Sequence, residues 1–346
     1  MLKIGIIGAG RLGSFHADKV AAHAGVELAG VADPCKTARN GLAEKHGIPS
    51  FDSFDDLLPK VDAVIIASPT FLHYGLGSAC LQAGKHVLME KPMCASLDEG
   101  RKLVATAQQN GLILQVGHVE EFNPAWIAAK KSIRTDLMAG EPIMIDTVRT
   151  SGYTFRSTDI GTVFDMMIHD IDLVLSLIAS HVFSVDAIGF HIIGGPHEDV
   201  AHARLRFDNG CAANLFTSRV AEKAERKMRI TTATATITVD FATRTTICHR
   251  ADDTVLEGKY APNHVLPTSV SLLVPTFMND AFSLETQTHE AVDALAAELD
   301  DFVCAISSHK VPRVSGSRAL EAISVAETIV RSIVKCGSHR QIRRAA

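Results

Sequence analysis

Leu2-Lys3-Ile4-Gly5-Ile6-Ile7-Gly8-Ala9-Gly10-Arg11-Leu12-Gly13 is a short apolar run that ends in glycines ordered G-x-G-x-x-G, and residues 11–24 read as a helix. Glycines alone mark turns. A strand before them and a helix after them give this string a mechanism. Gly8 allows a tight turn, Gly10 lets the backbone approach a pyrophosphate, and Gly13 lets helix and strand pack closely. The helix start then presents unpaired N–H groups and a positive dipole end to the phosphates. Asp33 lies 20 residues beyond Gly13, at the end of the next strand. A carboxylate there accepts hydrogen bonds from ribose hydroxyls and repels a 2′-phosphate, so NAD is expected ahead of NADP. The other reading of Asp33 is a turn aspartate before Pro34.

Outward from this stretch, strands and helices keep alternating. Val26–Ala32, Ala63–Ala67, His86–Met89 and Leu112–Val116 are predicted strands, with helices between them that include Tyr74–Ala83 and Leu97–Asn110. Strands apolar on both faces and joined by helices build a parallel sheet covered on both sides. Residues 1–122 are therefore expected to form a doubly wound Rossmann domain. After Asn123-Pro124 the texture changes to a helix over 125–137, a strand over 143–149, a helix over 162–179 and a strand-rich stretch over 182–249. Asp208-Asn209-Gly210 within it is a hairpin signal. Residues 252–288 carry no readable pattern, and helices return over 290–307 and 317–334. Residues 123–346 are thus expected to be an α+β domain on a large, mainly antiparallel open sheet, giving an α/β chain overall. One face of that sheet suffices for its own helices. Phe207, Leu215 and Phe216 are apolar candidates for the other face, through which a homodimer or homotetramer is expected.

Composition narrows the partners. Of 346 residues 47% are apolar and 21% charged, an ordinary globular balance. Lys and Arg number 34 against 39 Asp and Glu, for a net charge of −5, which speaks against a nucleic-acid partner. No apolar run approaches the roughly 18 residues of a membrane span. Met1-Leu2-Lys3 leads straight into a strand, unlike a signal peptide. The seven cysteines stand singly, with no CxxC pair, as expected of reduced thiols in a cytoplasmic protein.

In an open parallel sheet, ligands gather at the carboxyl ends of the strands. Three such ends carry polar residues: Ser68-Pro69-Thr70 with His73, Glu90-Lys91-Pro92, and Gly117-His118. Ser68 and Thr70 can instead cap the next helix, and His73 can be a satisfied surface histidine. A lysine straight after a strand buried on both faces is an odd structural choice, although a solvated loop lysine is its other reading. Beside a nicotinamide, the Lys91 ammonium would stabilise a developing alkoxide. Farther on, Asp165, His169 and Asp172 fall within about 60° of one another on an otherwise apolar helix. A histidine base with carboxylates fixing its tautomer fits that stripe. A T-x-x-D capping box from Thr162 to Asp165 and a core histidine are the alternatives. Metal ligation is a rival, but no HExxH and no nearby cysteine supports it, so no metal is expected.

Together, the glycine turn, Asp33, Glu90-Lys91-Pro92 and Asp165-x-x-x-His169 make the chain resemble the Gfo/Idh/MocA family over nearly its whole length. The resemblance implies an NAD-dependent dehydrogenase acting on a secondary hydroxyl of a sugar, nucleotide sugar or cyclic polyol. A non-catalytic NAD-binding regulator is the reading from another class. The family's catalytic lysine maps onto Lys91 and its Asp-x-x-x-His pair onto Asp165 and His169. Cofactor contacts are implied for Gly8, Ala9, Gly10, Arg11, Leu12, Gly13 and Asp33. Further ones are implied for Ser68, Pro69, Thr70 and His73 around the nicotinamide ribose and ring, and for Glu90 and Lys91. Substrate contacts are implied for Lys91, His118, Asn123, Arg156, Asp165 and His169. The stretches Gly117–Pro124 and Asp165–Asp172 are similar to a bacterial subgroup that includes UDP-N-acetylglucosamine 3-dehydrogenases. That subgroup usually carries arginine where this chain has Glu121. Arg149 and Arg156 could supply the missing positive charge to a diphosphate, or be surface residues.

Overall fold

The computed structural model describes residues 1–135, 142–155, 160–193, 195–259 and 281–336. The chain divides into two units, Met1–Phe122 with Val292–Thr328, and Asn123–Ala291 with the residues from Ile329 on.

In the first unit β1 (Leu2–Ile7), β2 (Val26–Ala32), β3 (Ser50–Phe51), β4 (Ala63–Ile66), β5 (His86–Met89) and β6 (Leu114–Val116) form one sheet in the order β3-β2-β1-β4-β5-β6. Every pairing is parallel. Helices α1 (Arg11–Ala22), α2 (Lys36–His46), α3 (Phe54–Leu57), α4 (Thr70–Gln82) and α5 (Leu97–Gln109) fall between the strands. The strand order turns at β1, whose neighbours are β2 and β4, so the carboxyl ends of these strands open the crevice where such sheets bind ligands. Ile4, Ile6, Ile65, Ile66, Val87 and Met89 are 0% exposed, as their unbroken apolar runs require. β3 is new relative to the sequence pattern, because a two-residue strand has no periodicity to read.

The second unit begins with α6 (Pro124–Thr135) and β7 (Met144–Thr150), and a π-type turn (Val163–Met167) runs into α7 (Ile168–Leu177). β8 (Val182–Phe190), β9 (Val200–Phe207), β10 (Ala212–Ser218), β11 (Glu225–Thr231), β12 (Ala235–Asp240), β13 (Thr245–Ala251), α8 (Asp253–Leu256) and β14 (Phe282–Thr288) follow. The eight strands form one sheet in the order β14-β13-β12-β11-β7-β10-β9-β8, antiparallel except where β10 runs parallel to β7. The hairpin at Asp208-Asn209-Gly210 joins β9 to β10, with Gly210 at a φ of 89°. Alternation sorts the two faces. Ile145, Ala203, Leu205, Ala213, Met228 and Ile237 are buried on the face that α6 and α7 cover. On the other face the register lines up Asp186, Arg204, Asn214, Asp146, Arg229, Thr238 and Ile247 in one row. Phe207 and Leu215, at 0% exposure, belong to the covered face, which corrects the expectation that they reach the open one. Phe216, beside His202 and Val148, does lie on the open face.

Two last helices, α9 (Ala294–Ser308) and α10 (Gly316–Lys335), were expected to stay with residues 123–346. Instead the segment Val292–Thr328 joins the first unit. Leu299 and Phe302 of α9 sit three apart on one helix face and complete the core around Ile4, Ala17, Val20 and Ile65. An apolar helix stripe says that a helix is covered, not which sheet covers it.

Candidate active site

At two glycines of the turn nothing larger fits, while the space beside Gly10 is open. Gly8 has a φ of 104°, and a Cβ there would lie 2.6 Å from the Ala67 carbonyl oxygen. A Cβ on Gly13 would lie 1.8 Å from the Gly8 carbonyl oxygen. Asp33 holds its turn and keeps acceptor capacity for the ribose reading. Its Oδ2 accepts the Ala9 N–H at 2.7 Å, tying β2 to the glycine turn, and its Oδ1 accepts the Cys35 N–H at 2.7 Å. Each oxygen keeps a second lone pair for a ribose hydroxyl. A cavity of about 560 Å³ lies over this turn, walled by Gly8, Gly10, Asp33, Ser68, Pro69 and Leu72. The Ser68 hydroxyl is buried there with no hydrogen-bond partner among the described residues. Close backbone, an acidic ribose acceptor and an orphaned hydroxyl in the wall together fit a dinucleotide. Arg11 lies over the Phe15 ring at 5.4 Å, and Leu12 is exposed. Pro69 occupies the cap position of α4 without a side-chain cap, so capping does not account for Ser68 or Thr70.

Lys91 follows β5, half-buried, with a cis peptide bond to Pro92. Its backbone N–H donates to Glu90 Oε2 at 3.2 Å, and Glu90 Oε1 lies 2.8 Å from His16 Nε2. Burial would lift the Glu90 pKa, but the hydrogen bond and charge of His16, then the Lys91 charge, hold it below the usual carboxylate range. His73 is no surface histidine. Its Nδ1 is 2.8 Å from the Pro92 carbonyl and its Nε2 2.8 Å from the Ser68 carbonyl, so it clasps the ends of β4 and β5. Burial pushes its pKa down, against the raising effect of both carbonyls and of Glu90. His118 is buried at the end of β6.

In the second unit the helix start differs from the alternative reading, a Thr162–Asp165 capping box. The Thr162 hydroxyl lies 3.3 Å from that of Thr217, and the Val163 N–H donates to Glu198 Oε1 at 3.0 Å. Glu198, a residue the sequence pattern does not single out, therefore caps this helix start from outside. Asp165 lies in the π-type turn and His169 is the second residue of α7, both half-buried. Asp172, three residues on in α7, is 0% exposed and so lies deeper than Asp165 and His169. The π turn breaks the uniform helical spacing between Asp165 and the two residues of α7. Arg149, a candidate for substrate charge, donates from Nε at 3.1 Å and Nη2 at 2.8 Å to buried Asp170. That pair fastens α7 to β7. Asn123 turns its amide inward, donating to the Phe241 carbonyl at 3.1 Å and accepting the Ala125 N–H at 3.1 Å. Arg156 lies outside the described residues.

Glu121 also has a structural explanation. Its carboxylate is buried and accepts from Arg318 Nη2 at 2.9 Å, within the first unit. No local signal could reveal this pair, whose members are 197 residues apart.

Comparison with known proteins agrees with this geometry. Residues 2–118 match the Gfo/Idh/MocA oxidoreductase family with its NAD-binding Rossmann fold, and residues 133–238 match the Gfo/Idh/MocA C-terminal domain. The UDP-N-acetylglucosamine 3-dehydrogenase of Acidithiobacillus ferrooxidans is 34% identical over 325 residues, covering 93% of this chain and 95% of that protein. An inositol 2-dehydrogenase of Rhizobium meliloti is 25% identical, covering 96% and 97%. The solved structure of the Acidithiobacillus enzyme superposes with a TM-score of 0.82 at 31% identity, over 96% of this chain and 97% of that one. Levoglucosan dehydrogenase in complex with NADH reaches 0.83 at 18% identity over 96% and 97%, a likeness of fold alone. The chain belongs to the Gfo/Idh/MocA family of NAD-binding oxidoreductases.

Proposed function

We propose that this protein is an NAD-dependent dehydrogenase that oxidises a secondary hydroxyl of a sugar or nucleotide sugar, with C3 of a UDP-N-acetylhexosamine as first candidate. The observation that carries the reading is Lys91, a half-buried cation at the end of β5 and fixed through Glu90, in the unit that holds the dinucleotide cradle. Bound NAD supplies the hydride acceptor. Lys91 offers its ammonium to the developing alkoxide. His169 accepts the hydroxyl proton, and Asp165, one helical turn earlier, orients its ring. Gly8, Gly10 and Gly13 admit the pyrophosphate, and Asp33 and Ser68 take ribose hydroxyls. The similarity to the Acidithiobacillus enzyme supports the UDP-sugar. A second reading, a cyclic polyol such as inositol, draws on the side chains already committed. Glu121 is paired with Arg318 and Arg149 with Asp170, so neither is arranged to meet a diphosphate.

The open face of the large sheet fits a homodimer or homotetramer, and seven free cysteines fit a reducing cytoplasm.

Turnover of NAD with UDP-N-acetylglucosamine, UDP-N-acetylgalactosamine and myo-inositol separates the two readings. UDP-sugar turnover is expected, and turnover of inositol alone moves the assignment to the polyol. Lys91→Ala and His169→Ala should each cut kcat by roughly 100-fold while NADH binding persists. The double variant should lose less than the product of the single losses, because both groups serve one proton-transfer step. Near-normal kcat in Lys91→Ala overturns the lysine's role.

A further inference from the structure

Glu90 is an anion with almost no access to water, packed so tightly that a Cβ on Gly117 would come within 3.2 Å of its Oε2. Burying a lone carboxylate is costly. Two contacts offset that cost: the Lys91 backbone N–H on Oε2, and the His16 ring 2.8 Å from Oε1. His16 is 1% exposed and lies in the helix that begins at the glycine turn. Neither proton transfer nor phosphate binding requires an imidazole at that place. Other titratable groups near this carboxylate include the Lys91 ammonium, His73 on α4 and Glu298 on α9.

We propose that His16 is a positioning residue for Lys91 that acts through Glu90. It keeps the buried carboxylate charged and aimed, and the carboxylate fixes the Lys91 backbone and places a negative charge beside its ammonium. The proposal rests on the reading of Lys91 given above. Consistent with it, His16 is the group that opposes burial most strongly in setting the charge of Glu90. Without His16, Glu90 takes up a proton or swings away, and Lys91 loses both its main-chain acceptor and its counter-charge.

The direct test is how fast an amine-specific reagent labels Lys91 at mildly alkaline pH, read by mass spectrometry of the Lys91 peptide in the full-length protein. An amine on a main chain released from its anchor meets the reagent more often, so His16→Ala and Glu90→Gln should each label about threefold faster than wild type. The His16→Ala, Glu90→Gln double variant should label no faster than Glu90→Gln alone, because both changes act on one path. His16→Gln, which keeps a donor for the carboxylate, should recover part of the difference. In turnover, His16→Ala should lose about tenfold in kcat with little change in KM, the pattern of a misaligned catalytic group. NADH binding reports on folding. If His16→Ala fails that check, His16→Gln and Glu90→Gln carry the test. Wild-type labelling rates in both His16→Gln and Glu90→Gln, or effects that multiply in the double variant, overturn the proposal. Normal kcat in Lys91→Ala instead overturns the reading of Lys91, and the labelling rates still decide whether His16 acts through Glu90.

Discussion

Glu298 on α9 has none of its surface exposed, and among the described residues neither carboxyl oxygen has a hydrogen-bond partner. Burial first, and then the negative charges of Glu90 and Asp301, push its pKa well above the usual carboxylate range. The folded chain therefore binds this proton more tightly than the unfolded chain does. Stability from this group is greatest below the ordinary carboxylate range and falls as the pH climbs from there toward the raised value. Glu298→Gln removes the titration and keeps the shape. Its Tm advantage over wild type should grow from about pH 5 to about pH 8. Parallel Tm profiles for the two proteins would contradict a carboxyl held neutral by the fold. Residues of this kind were invisible in the sequence. Lys91 was legible because an apolar strand in front of it left a cation with no structural reason to be there. The burial of Glu298, the Glu121–Arg318 pair and the Pro92 carbonyl on His73 depend on segments far along the chain, which no spacing rule reaches.

The pattern of elements was legible wherever one environment governed a whole segment. β4, Ile4–Ile7 of β1 and Val87–Met89 of β5 carry no polar side chain because both faces are covered, and alternation in β9 and β10 follows from one covered face. It failed where geometry departs from a regular period. The π-type turn carries Asp165, so the angle inferred from a uniform helix does not hold between Asp165 and the two residues of α7, His169 and Asp172. Just past this irregular start the Arg149–Asp170 pair, with side chains 5% and 3% exposed, fastens α7 to β7. Removing one member of such a pair strands the other charge in the interior. Asp170→Ala should therefore destabilise the protein by about 3–5 kcal/mol. A paired Arg149→Met, Asp170→Leu replacement should recover most of that loss. Urea unfolding of the three proteins measures both values, and a single-variant loss close to that of an exposed ion pair would show that α7 is held by its apolar contacts instead.

At the scale of the whole molecule, the large sheet offers the face through which copies of the chain are expected to meet. Eight strands about 4.8 Å apart and seven residues long offer an open face of about 800 Å², close to what one partner contributes to a stable interface. That face is mixed in character. Ile188 is 45% exposed, Ile247 37% and Leu284 68%, interleaved with Arg204, Asp146 and Arg229. Opposite charges and apolar side chains on one surface are what a two-fold contact needs, since each patch must complement its own copy. Phe216 lies near the middle of the sheet on β10, beside Val148 of β7 and His202 of β9. Its replacement by a charge should therefore break the contact without touching the covered core. Light scattering of the wild type at micromolar concentration should give two or four times the chain mass of 37.1 kDa. Phe216→Glu should lower that mass toward a single chain while NADH binding persists, because the cradle belongs to the other unit. A wild type that scatters as one chain, or a Phe216→Glu variant with unchanged mass, would remove this face from the assembly.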